Sequence, residues 1–344
     1  MNILQKILFI SLFLLNIIYA QINNDETMEK AGTAAAQFLK IPYDSRGSAM
    51  GNTGVSLPGG ISSIFWNPAI LASIEKNEIG FFNSSWFAAI NIDYFGLGIA
   101  SNRFGVLGLS ILSLSTPEDD VTTIYQPDGT GEKWSATDLS IALTYGKKLS
   151  SDFLIGANFK FIQQNIWHAS THTIAGDIGV LFTTPFKKAR LGASLSNYGG
   201  KLRLSGRDQK LSVDPDPNNQ GNVEFINASY ETNNFSLPLL FRVGISNELI
   251  QNKNVSCTYS IDALYPSDGL EYLNAGLETI FLNKYKIRAG LPSFTNSNSI
   301  EGITFGLGLL QNISNSSTKI SFDYAASDFG PLGTVQKVYL SLNF

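Results

Sequence analysis

The closing stretch Thr334–Phe344, T-V-Q-K-V-Y-L-S-L-N-F, restricts this chain more than any other. Extended, it sets Val338, Leu340, Leu342 and Phe344 on one face and Lys337, Tyr339, Ser341 and Asn343 on the other, because successive side chains of a strand point oppositely. A strand with one wholly apolar face must cover that face and must find partners along both hydrogen-bonding edges. A soluble β-sandwich does so by packing the face on a second sheet. A barrel standing in a bilayer does so by turning the face to lipid and leaving no edge free.

The remainder of the chain favours the barrel. Apolar residues make up 44% and charged residues 15%, against about a quarter charged in an ordinary soluble domain. The 31 Gly, 23 Phe and 13 Tyr suit strands, turns and aromatic girdles. A net charge of -4 speaks against a nucleic-acid partner. Met1–Ala20 reads as a secretory signal, with Lys6 at its start, the apolar run Ile7–Ile18 and a small residue at the cut, so the mature chain is expected to begin near Gln21. No later run is apolar enough to cross a bilayer as a helix. Cys257 is the single cysteine, which excludes an internal disulfide and a Cys-based metal site.

From Glu78 onward the pattern alternates with period two. The spans Glu78–Trp86, Ala89–Ser101, Phe104–Ser115, Thr137–Leu149, Asp152–Gln164, Thr171–Thr184, Ala189–Tyr198, Leu237–Asn247, Asn254–Tyr265, Leu270–Leu282, Lys284–Leu291, Glu301–Asn312, Ser317–Ala326 and Thr334–Phe344 read as strands, about fourteen in all. Short connections, such as Lys147–Ser151 and Leu282-Asn283, alternate with long ones at Thr116–Ala136, Asn165–Ser170, Gly199–Pro238, Pro292–Ile300 and Ser327–Gly333. Outer-membrane barrels alternate in this way, with short turns towards the periplasm and long loops outside. The predicted fold is therefore an all-β transmembrane barrel of antiparallel strands over 78–344. Residues 21–77 precede it; Ala31–Leu39 has the composition of a short helix, and Pro42–Ile74 is too apolar for a free tail yet lacks alternation. That segment is expected to plug the lumen.

Alternation also turns Lys160, Arg242, Asp262, Glu278, Arg288 and Asp323 away from the apolar face. Arg or Lys facing lipid at the midplane costs roughly 2–4 kcal/mol, so these charges are expected in the lumen, paired in a network that holds wall to plug. Catalytic or metal chemistry finds little support. His168 and His172 are spaced i,i+4 but lie on strand and loop, without the Glu of a His-Glu-x-x-His site. Asp214-Pro215-Asp216-Pro217-Asn218 is broken by prolines as a calcium loop, and Glu118-Asp119-Asp120 reads as a solvated loop. Gly47–Gly54 lacks the Lys-Ser/Thr ending of a phosphate loop, so its glycines are read as permitting close backbone packing. No nucleophile elbow is present. The chain is read as a non-enzyme with no cofactor and no metal.

Gly47–Gly54, the motif Trp66-Asn67-Pro68-Ala69, and the closing run Asp323-Tyr324-Ala325, Gly330-Pro331-Leu332-Gly333 and Leu340–Phe344 together resemble the PorV/PorQ family. That family is related to FadL-type fatty-acid transporters, which carry an Asn-Pro-Ala motif in their plug. Thr334-Val335-Gln336-Lys337 is a looser match to the family's usual run. The final Val338, Leu340, Leu342 and Phe344 also resemble the signal read by the machinery that folds such barrels. The resemblance implies a fourteen-stranded, FadL-like barrel of the outer membrane, in contact with its lipid. It implies a role in type IX protein secretion, with a large translocon barrel and secreted cargo as partners. The alternative it leaves is FadL-like uptake of a hydrophobic small molecule, for which Gly105 and Gly108 are a candidate wall kink.

Overall fold

A computed structural model describes residues 30, 32–101, 103–215, 225–313 and 317–344. The secretory signal read over Met1–Ala20 lies outside the described residues, as do Asp216, Pro217 and Asn218. Fourteen antiparallel strands form the wall: β1 (Glu78–Ser85), β2 (Asn91–Ser101), β3 (Gly105–Ser115), β4 (Ala136–Lys148), β5 (Phe153–Ile166), β6 (Ala169–Thr183), β7 (Arg190–Gly199), β8 (Leu240–Gln251), β9 (Val255–Pro266), β10 (Tyr272–Phe281), β11 (Tyr285–Leu291), β12 (Thr304–Asn312), β13 (Lys319–Asp328) and β14 (Thr334–Asn343). Each pairs with the next, and β14 returns to β1 from Glu78↔Asn343 to Ser85↔Gln336. The wall is closed.

The closing register keeps like with like. Leu340 lies opposite Phe81 and Leu342 opposite Ile79 on the outer face, while Tyr339 lies opposite Phe82 and Ser341 opposite Gly80 on the inner face. A slip of one residue would turn the greasy set into the lumen and Lys337 into lipid. The same belt continues round the wall through Leu107, Leu143, Phe159, Ile287 and Leu307, all exposed.

The connections depart from expectation at three places. The expected long connection Asn165–Ser170 is a two-residue turn, Trp167-His168, because β5 and β6 continue as a paired ladder up to Ile166↔Ala169. Among the described residues 32–39 there is no continuous helix: Ala34 pairs with Ser236 as a bridge, and the helical part is a single 3-10 turn at Gln37–Lys40. The candidate kink at Gly105 and Gly108 is absent. The β2–β3 and β3–β4 ladders run unbroken, Gly105 takes φ +96° at the start of β3, and Gly108 faces Leu71 and Ile61.

The segment before β1 fills the lumen. It enters on the long-loop side, where Gln37 and Lys40 both reach Asp268. It turns through the short helix α1 (Ser45–Ala49) and two 3-10 turns, Ile61–Phe65 and Pro68–Ser73, and leaves towards β1. The wall yields to it with glycine. A Cβ on Gly290 would overlap the Gly51 backbone, and one on Gly156 would overlap the Pro68 carbonyl. Sequence thereby specifies both how the wall alternates and where the plug backbone touches it. Aromatic rings seal the upper part: Tyr43 stacks on Tyr94 at 4.2 Å and meets Phe65 edge-on at 5.1 Å.

Candidate functional site

The plug is pinned from its own motifs outward. Asn67 caps the turn that begins at Pro68: its Oδ1 accepts from the Ala69 N–H at 3.0 Å, and its Nδ2 donates to the Val55 and Val180 carbonyls, each at 2.9 Å. It thus joins two strands of plug chain to β6. The Trp66 indole donates to Asp44 Oδ2 at 2.8 Å, and its ring lies between Gly47 and Gly54, where any Cβ would strike it. Asp44 in turn caps α1, accepting from the Gly47 N–H at 3.0 Å and from Ser62 Oγ at 3.1 Å. The Trp66 carbonyl accepts from Ser194 Oγ at 2.7 Å, and Ala69 is buried.

The inward charges form separate groups rather than a single network. At the first, Glu278 accepts from Arg46 Nε at 3.1 Å and Nη2 at 2.6 Å, and from Arg288 Nε at 2.7 Å. Arg288 Nη1 donates to Asp323 at 2.6 Å. Burial works against the Arg46 charge, but the Glu278 carboxylate outweighs it and raises the guanidinium above its ordinary value. At the second, Asp262 accepts the plug's Gly54 and Val55 N–H groups at 2.7 and 3.0 Å. At the third, Lys160 meets Asp177 at 2.7 Å, beside Asn158 and Asn197. A register shift between β6 and β7 puts Asn197 at φ 64° and lets its N–H reach Asp177 at 2.7 Å. Arg242 joins none of these groups. It lies 5.1 Å from the Phe65 ring centroid and 5.9 Å from that of Trp66, and donates to Ser196 Oγ at 3.2 Å.

Several members of this plug–wall contact escape a reading of the wall alone. Arg46 and Asp44 sit in the plug, and Asp177 and Lys337 obey the same alternation that selects Lys160 and Asp323. Lys337 donates to Ser48 Oγ of α1 at 3.1 Å and lies over the Trp86 ring. Asp177 was recognisable as an acid four positions before Leu181 on the inner face of β6; Arg46 carries no signal beyond being a lone charge in an apolar segment.

Two spaces flank the plug. On the loop side is a cavity of about 200 Å³. Phe65, Trp66, Trp86, Leu240 and Leu264 give it apolar walls. Asn52, Arg242, Tyr272 and Glu301 supply its polar groups. Burial raises the Glu301 carboxyl above its ordinary range, opposed by the charge of Lys337. On the short-turn side a wider polar space of about 490 Å³ ends on Arg46 and Glu278. Trp66, Asp44 and α1 stand between the two.

No family model and no curated protein matches this sequence. Solved structures do match. The CymD monoaromatic hydrocarbon channel superposes with a TM-score of 0.54 at 13% identity, covering 92% of this chain and 99% of that one. The toluene transporter TbuX of Ralstonia pickettii gives 0.52 at 13% identity over 88% and 96%. The toluene transporter TodX of Pseudomonas putida gives 0.53 at 12% identity over 87% and 96%. The fold is that of a FadL-like outer-membrane barrel.

The histidines and the Glu118–Asp120 loop lie away from the lumen. His168, at the β5–β6 tip, contacts Asp208 at 2.7 Å and Glu132 at 3.1 Å from two other loops, and His172 stacks on Phe161. Asp119–Asp120 pairs with Lys133–Trp134 as an exposed two-residue ladder. Among the described residues no group of three His, Cys, Asp or Glu is arranged to hold a metal.

Proposed function

We propose that this chain admits small hydrophobic molecules across the outer membrane, taking them into the loop-side cavity above the plug without chemical change. The cavity carries the reading. It is walled by Trp66, Trp86 and Phe65 and closed below by the plug, within a fold whose solved neighbours are described as hydrocarbon channels and toluene transporters. Passage requires the plug to move, and Arg46–Glu278 is a charged contact that ties plug to wall beside the inner space. The test is uptake of labelled toluene by cells expressing the full chain in a host without its own channel. Faster uptake than in empty-vector cells, abolished by Leu240→Trp, is the expected result. Equal uptake with and without the protein would overturn the reading.

A second reading, a partner-binding component of type IX secretion, is favoured by the motif resemblance and by the tip of the loop between β3 and β4. There Ile124 and Tyr125 are 93% and 91% exposed, as a partner-docking tip would be. Recovery of a large barrel or of secreted cargo with the detergent-solubilised protein, lost on replacing Ile124 and Tyr125 by Ser, would support it.

A further inference from the structure

We propose that the loop-side cavity selects a small aromatic carboxylate, with the anion on Arg242 and the ring against the tryptophans. This rests on the uptake reading and names the substrate class for it.

The observation is an uncompensated cation. Arg242 is 2% exposed and lines the cavity. Among the described residues, no carboxylate lies within ion-pair distance of it, and its Nε has no hydrogen-bond partner. Three other wall cations are answered by acids: Arg288 has Glu278 and Asp323, Lys160 has Asp177, and Arg190 has Glu248; Lys337, which also lacks an ion pair, donates to Ser48 Oγ instead. Asp262, on the flanking strand β9, is committed to the plug backbone, and Asp177, on β6, is committed to Lys160. A buried guanidinium left without an anion is costly, and ring faces offset only part of that cost.

The remaining features of the cavity fit one kind of ligand. A planar carboxylate matches the guanidinium fork with two parallel hydrogen bonds. A volume of about 200 Å³ compares with the roughly 150 Å³ apolar cavity that holds benzene. Phe65, Trp66 and Trp86 supply an aromatic wall against which one ring fits. The other charges on the cavity are already engaged: Lys40 with Asp268, and Glu301 with Asn52. A hydrocarbon would leave Arg242 unanswered.

The test is calorimetric titration of the full-length protein in detergent with benzoate, benzamide and toluene. Benzoate should bind at least about tenfold tighter than its neutral isostere benzamide, as a charge-assisted contact implies. Arg242→Gln should erase that preference, and Arg242→Lys should keep part of it. The wild-type comparison needs no variant to fold. If toluene binds and benzoate binds no tighter than benzamide, the selection is overturned and the uptake reading stands. If none of the three binds and toluene uptake is also absent, both fall.

Discussion

Replacing Glu278 with Gln tests what seats the plug. The wild-type carboxylate accepts three charge-assisted hydrogen bonds, two from Arg46 and one from Arg288, with both wall partners buried. Glutamine keeps the shape but presents one oxygen and one NH2, so a donor now faces a guanidinium donor. At least one bond to Arg46 is lost, and Arg46 and Arg288 share a neutral group. A charge-assisted bond contributes about 1.5–3 kcal/mol, and breaking a buried pair costs about 3–5 kcal/mol. The β9–β10–β11 ladders do not pass through this side chain, so the wall should persist. A loss of about 3 kcal/mol falling on the seated plug raises its unseated population roughly a hundredfold, at 1.4 kcal/mol per factor of ten. The assay is conductance of the purified protein in planar bilayers. Wild type should be shut nearly always, and E278Q should open about a hundred times more often. Arg46→Met combined with E278Q should add little beyond E278Q, because both remove one contact. Openings at the wild-type frequency in E278Q would refute the claim that this contact seats the plug.

Three further outcomes follow from the packing. Gly54→Ala forces a methyl into the Trp66 ring, an overpacking expected to cost about 1–3 kcal/mol and to alter near-ultraviolet dichroism; an unchanged spectrum and urea midpoint would contradict a ring held between glycines. Leu340→Arg places a charge on the lipid face opposite Phe81 and should lower the free energy of folding into liposomes by about 2–4 kcal/mol near the midplane; no loss would mean the phase of β14 is wrong. Glu301 has a raised folded value, so the stability it contributes is present below the ordinary glutamate value of about 4.3 and is lost as pH rises through the folded value. The thermal midpoint of Glu301→Gln minus that of wild type should therefore grow with pH, and a flat difference would count against the burial of this carboxyl.

The wall was legible because lipid and lumen impose opposite demands on alternate residues. The phase of β14 followed from Val338, Leu340 and Leu342 on one face and Lys337 and Tyr339 on the other, and each of the spans read as a strand is a wall strand. The failures are where that two-sided demand stops. At Asn165–Ser170 the ladder continues through polar residues, pairing Asn165 with Ser170, so polarity there does not mark a loop. At Ala31–Leu39 the alanines favour helix, but Ala34 pairs with Ser236 and Ala36 takes φ 52°.

The candidate site divides the same way. The sequence by itself determined that Lys160, Arg242, Asp262, Glu278, Arg288 and Asp323 leave the apolar face, since period-two alternation is a local property of the strand. Only the tertiary structure decided their partners. Pairing depends on the shear of a closed wall and on where an irregular segment of the chain threads through it, neither of which is written in any local period. That is why Glu278 meets Arg46, more than two hundred residues away, and why Arg242 is left facing a cavity and two aromatic rings with no acid of its own.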